Sequence, residues 1–148
     1  MILTGKQVQT DVLGYVKSVT FAHGEGTTTL SAVVNGSVYR GGLRPRDSKA
    51  EDIIVSFLTG KDYDIQTGFV NIAIYVPDIR PYDNGVWVED MARTAELEAI
   101  AAKWVAALTT GVTKGYKMSA AQTITTEDDA DINQHFVLIR LYYDFYNK

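Results

Sequence analysis

The chain contains no cysteine. Disulfides, thiolate nucleophiles and zinc–thiolate centres are therefore excluded, and the absence suits a reducing compartment. Histidine is scarce too. His23 sits among glycines in HGEGTTT, and His135 opens the last apolar segment. Their spacing matches no helical ligand motif, so no metal site is expected and both read as surface residues. There is no basic surplus: 14 lysines and arginines face 18 acids, for a formal net charge of -4. Proteins that grip nucleic acid by its backbone usually carry excess positive charge, so specific binding to DNA or RNA is not expected. No apolar run approaches the roughly 20 residues of a membrane span. The start, MILTGKQVQ, lacks the basic stretch and long apolar run of a secretory signal. The expectation is a soluble protein with no membrane contact, assembled in the cytoplasm.

What is present is enough for a core. The 148 residues are 46% hydrophobic and 22% charged, which fits one folded domain over 1–148. Thr4 and Gln7 have the spacing of a capping box. Val8, Val12, Tyr15, Val16 and Val19 follow at helical intervals, predicting a helix over about 5–19. HGEGTTT (23–29) reads as a loop. Leu30–Val34 reads as a short strand that Asn35-Gly36 turns back into Val38–Arg40. A strand is expected over Glu51–Leu58, with Ile53, Val55 and Phe57 on one face. After the turn KDYDIQTG (61–68) comes FVNIAIYVP (69–77), with Val70, Ile72, Ile74 and Val76 on one face.

From Glu89 to Leu108 the period becomes helical. Leu97, Ile100, Ala101, Trp104, Val105 and Leu108 form one stripe, and Gly111 is a plausible stop. Two long strands finish the chain: Tyr116–Thr126, then His135–Tyr146 after the acidic turn EDDAD (127–131). In the last strand Val137, Ile139, Leu141, Tyr143 and Phe145 share a face. The order predicts an α+β fold: a mainly antiparallel sheet with an N-terminal helix and a central helix packed on one face.

The segment SVYRGGLRPRDSKAEDIIVS (37–56) is the richest in charge and glycine. A phosphate loop needs G-x-x-x-x-G-K-[ST] ahead of a helix. Here Gly41-Gly42 leads to Leu43-Arg44-Pro45-Arg46 and then to a strand, so no nucleotide cofactor is expected. Arg40, Arg44 and Arg46 read either as a solvated loop or as forks for carboxylates on a neighbouring subunit. Glu127, Asp128, Asp129 and Asp131 lack the glycine and terminal glutamate of a calcium loop and read as a solvated turn; Asp62 and Asp64 are read alike. Trp104 reads as core. Trp87 reads as a staple before the helix or as an exposed anchor for another protein.

The helix Lys6–Val19, RPRDSKAEDIIVS (44–56), FVNIAIYVPDI (69–79), EDMARTAELEAIAAKWVAAL (89–108) and QHFVLIRLYYDF (134–145) occur in an order that resembles the tail-completion or tail-terminator proteins of long-tailed bacteriophages and prophages. The resemblance covers most of the chain and rests on pattern, with a longer 22–52 region. It implies a non-enzymatic head–tail joining protein of the virion: a homo-oligomeric ring, typically a hexamer, between the tail tube and the head connector. DNA would pass through its lumen without specific binding. The family offers no catalytic residues to carry over. The loop Arg40–Arg46 of one copy would meet Glu127–Asp131 of the next, head to tail. A different reading is a small ligand-binding domain or enzyme with a pocket between the central helix and the sheet. Asn71, Gln134, His135 and Arg140 would then be its polar lining.

Overall fold

The computed structural model describes residues 2–62, 65–110 and 112–146. It opens with helix α1 (Gly5–Ser18), whose capping box forms as the spacing predicts. The Gln7 backbone N–H donates to Thr4 Oγ1 at 3.3 Å, and the Thr4 N–H donates to Gln7 Oε1 at 2.7 Å. Val8, Val12, Tyr15 and Val16 face the core. Strands β1 (Thr20–His23) and β2 (Gly26–Thr29) form an antiparallel hairpin where the sequence suggested a loop. Gly24, at φ 60°, supplies the left-handed residue that the turn needs. Leu30–Ala32 is a single 3₁₀ turn and not a strand.

A second sheet of seven strands carries the rest. Its order is β3 (Val38–Arg40), β4 (Ile53–Lys61), β5 (Ile65–Pro77), β9 (Gln134–Tyr146), β7 (Tyr116–Ala120) and β6 (Val112–Thr113), with β8 (Thr125–Asp129) also paired to β9. All pairs are antiparallel except β3 with β4. The hairpin expected at Asn35-Gly36 is therefore absent, and Val38–Arg40 runs alongside β4 in the same direction. Gly36 has another task. A Cβ there would lie 2.5 Å from the Glu51 carbonyl oxygen, and its N–H donates to that carbonyl at 3.1 Å. Close backbone approach, not turn geometry, calls for the glycine.

The expected strand Tyr116–Thr126 is broken. β7 pairs with the end of β9 and β8 with its start, and residues 121–124 bulge between them. Glu127–Asp129 of the expected acidic turn lies in β8, and Ala130–Ile132 makes a 3₁₀ turn. Residues 63 and 64 of the KDYDIQTG turn, Asp64 among them, lie outside the described residues, as does Gly111; β5 already begins at Ile65.

Helix α2 (Met91–Leu108) starts two residues later than the pattern suggested, because Asp90 is its N-cap and accepts from the Arg93 N–H at 3.3 Å. The whole predicted stripe, Leu97 to Leu108, is buried. Both helices pack on the sheet face that bears Ile53, Val55, Val70, Ile72, Ile74, Val137, Ile139 and Leu141. The fold is the α+β class read from the sequence. No described helix is long and apolar enough to cross a membrane.

No described α-helix lies over the opposite sheet face. It carries Ile54, Phe69, Ala73, Tyr75, Phe136 and Tyr142, all half-buried. Cross-strand ring pairs organise it: Tyr75 with Phe136 at 5.3 Å and Phe69 with Tyr142 at 5.4 Å. At one end the segment 41–50 folds across it.

Candidate interaction surfaces

Glu51 and Asp52 enter β4 side by side, so their side chains leave on opposite faces of the sheet. Each meets one arginine. On the helix side Arg93 of α2 donates from Nε to Glu51 Oε2 at 2.7 Å, from Nη2 to Glu51 Oε1 at 2.8 Å and to the Val33 carbonyl at 2.7 Å. On the other side Arg44 Nε donates to Asp52 Oδ2 at 2.8 Å, with the two side chains only 8% and 2% exposed. Arg44 Nη2 also reaches Gln134 Oε1 at 2.9 Å and the Ala50 carbonyl at 3.2 Å, and the guanidinium lies 4.2 Å over the Tyr75 ring. Among the described residues no buried side-chain nitrogen or oxygen lacks a partner.

The two carboxyls are held below their ordinary pKa. For Glu51 the hydrogen bonds from Arg93 dominate. For Asp52 burial pushes upward, and hydrogen bonds from Ser48, Arg44 and the Ser37 N–H together outweigh it. Both therefore bind protons more weakly when folded than when unfolded. Their stabilisation is complete above the unfolded pKa range of about 4 and is lost as pH falls through the lower folded values. The melting temperature, followed by calorimetry, should drop steeply below about pH 4. A Glu51→Gln, Asp52→Asn variant should melt lower at neutral pH yet show a shallower acid limb. An equal acid limb in both proteins would mean that these carboxyls do not set it.

The arginine cluster thus divides. Arg44 is a strut inside the chain, which removes it from the expected subunit contact. Arg40 is exposed and donates to Thr10 Oγ1 at 3.1 Å. Arg46 is exposed on the rim of a hollow of about 390 Å³, floored by Pro45, Ile54, Tyr75 and Ile132. The acidic residues divide too. Asp129 accepts from the Tyr75 hydroxyl at 3.3 Å, whereas Glu127 and Asp131 are exposed. Asp128 stands 3.8 Å from His135 Nε2. Tyr75 carries Arg44 on its ring and Asp129 on its hydroxyl. The basic segment and the acidic strand are therefore neighbours within one chain.

A second feature is only partly legible in the sequence. Residues 79–88 form a tight hairpin, closed by reciprocal Ile79 and Val88 backbone bonds at 2.9 Å each. Gly85, at φ 73°, donates its N–H to the Tyr82 carbonyl at 3.0 Å, and the Val86 N–H donates to Asn84 Oδ1 at 3.1 Å. Pinned this way, the hairpin presents Ile79, Tyr82, Val86 and Trp87 to solvent, with Met91 just beyond. Trp87 is 42% exposed under the Arg80 guanidinium, 4.4 Å from its ring. It does not staple the helix start. The base of the hairpin is tied to the helix side of the sheet, where His135 Nδ1 sits 2.6 Å from Asp78 Oδ1 and Nε2 sits 3.8 Å from Glu89. Asn84-Gly85 was the available signal for this turn. That four flanking apolar residues would all point outward was not in the pattern.

The polar residues proposed for a ligand pocket do not converge. Arg140 donates to Asn71 Oδ1 at 2.9 Å on the uncovered face. Gln134 is buried beneath segment 41–50, where its Nε2 donates to the Ser48 carbonyl at 2.8 Å. His135 lies on the helix side. The space between α2 and the sheet is filled by Leu97, Ile100, Ala101, Trp104 and Leu108, all buried. A scan of protein-family models and a search of curated proteins find no match to this chain.

Proposed function

We propose that the chain is a non-enzymatic structural protein of a phage or prophage tail. It forms a homo-oligomeric ring, a hexamer in the simplest case, at the head-proximal end, and joins tail tube to head connector. The reading needs no cofactor and no specific hold on the DNA that passes through. Its place is the virion, after assembly in the bacterial cytoplasm.

The observation that supports this is the hairpin 79–88. Exposed aromatic and aliphatic side chains next to an arginine have the composition of protein-binding hot spots. Here they stand on a backbone already fixed by its own hydrogen bonds, so little conformational freedom is lost on docking. A monomeric surface rarely keeps such groups together without a partner.

The test is to add the purified chain to polymerising tail-tube protein from the same virus. The expected result is shorter tubes with extra density at one end by negative-stain microscopy, and co-sedimentation of the chain at far below one copy per tube subunit. Tubes of unchanged length, with all of the chain left in the supernatant, would overturn the reading.

A further inference from the structure

One surface feature projects and another is hollow. The hairpin 79–88 exposes apolar side chains, with Asp83 at its tip, Arg80 over Trp87, and Glu89 and Asp90 at its base. The hollow beneath segment 42–46 is an open apolar depression of about 390 Å³, with Arg46 on its rim and Asp47 and Lys49 exposed in the residues that follow. We propose that the knob of one copy seats in the socket of the next, with Trp87 and Val86 against Pro45 and Ile54 and Asp83 facing Arg46. This rests on the reading of the chain as a self-assembling part and names the surfaces that would do it.

The placement of the two features favours a second copy as the occupant. Both lie at the end of the sheet where β5 finishes and β4 begins. The knob is rooted on the helix side through Asp78 and His135, whereas the socket is on the uncovered face, floored by Tyr75 and Ile54. Two different patches that fit each other make a heterologous contact, which repeats from copy to copy and closes into a ring when the rotation permits. Asp83 against Arg46 would orient the encounter.

The chain has no native cysteine, so a direct test is clean. Val86→Cys and Pro45→Cys, both at exposed positions, are purified separately, checked by circular dichroism, and oxidised alone and mixed, with and without tail-tube protein. Disulfide-linked dimer should form at least tenfold more in the mixture than in either variant alone. Adding Arg46→Glu to the Pro45→Cys protein, or Asp83→Lys to the Val86→Cys protein, should suppress it to a similar degree. Both changes together should restore it. Equal cross-linking of each variant with itself would overturn the head-to-tail contact. Sedimentation showing oligomers without the cross-link would overturn this docking while leaving self-assembly intact. Monomer in every arm, tube protein included, would overturn both.

Discussion

Replacing Arg44 with alanine should lower the unfolding free energy by about 3–5 kcal/mol, a large share of the stability of a domain of this size. The guanidinium is not a surface ornament. It is 8% exposed and faces a carboxylate that is 2% exposed. Truncation strands the Asp52 charge away from water and strips a donor from Gln134 Oε1 and from the Ala50 carbonyl. Breaking a buried pair from one side is costly for this reason, even where the intact pair adds little over apolar packing. Removing both charges, in Arg44→Met with Asp52→Leu, should therefore recover much of the loss. Arg40→Ala is the surface control, with an expected change within about 0.5 kcal/mol. Arg93 comes between, because its side chain is 25% exposed and water can reach Glu51 when it goes. Urea titrations with a shared slope would measure all four variants. A loss below about 1 kcal/mol for Arg44→Ala would show the pair to be solvated, since that is the range of exposed ion pairs.

The same residue shows where sequence reading stops. A run such as RGGLRPRD carries the marks of a solvated loop, and two of its three arginines are solvated. The third is fixed by an acid eight positions on and by a glutamine 90 positions on. No local pattern announces that meeting, because it exists only once β4 and β9 share a sheet. What was legible followed from strict periodicity over many residues. β9 alternates along its length, α2 carries an unbroken stripe, and the α1 cap needs only Thr4 and Gln7. What was lost had short or two-sided signals. The threonines of Gly26–Thr29 pair as a hairpin, although the glycines around them read as breakers. Asn35-Gly36 matched a hairpin turn, yet tertiary approach to Glu51 decided its geometry. In the candidate surfaces, the exposure of Trp87 was one of the two readings the sequence offered. That of its fellows Ile79, Tyr82 and Val86 was not, because apolar residues within a loop look alike whether they turn in or out.

Trp104→Ala should cost about 3–5 kcal/mol, the range for deleting a fully buried aromatic side chain. Trp104 is 0% exposed and is the largest such side chain in the core. It also joins elements. Its indole N–H donates to the Tyr15 carbonyl at 3.3 Å, the same carbonyl that accepts the Val19 N–H at 3.0 Å where α1 ends. The residue therefore fills the space beneath α2 and fixes the end of α1 against it. Alanine would leave a cavity in the close-packed core that includes Val12, Val16 and Leu97. Trp104→Phe separates the two effects. It keeps most of the volume and loses the donor, so the expected cost is nearer 1 kcal/mol plus a small packing term. Fluorescence gives a second readout, because the chain has two tryptophans and the phenylalanine variant keeps only the exposed Trp87. The folded variant should emit at the long-wavelength position of a hydrated indole and shift little on unfolding, while circular dichroism still reports a cooperative transition. A buried-type emission from that variant would place Trp87 inside the core, and the hairpin could not then serve as an anchor.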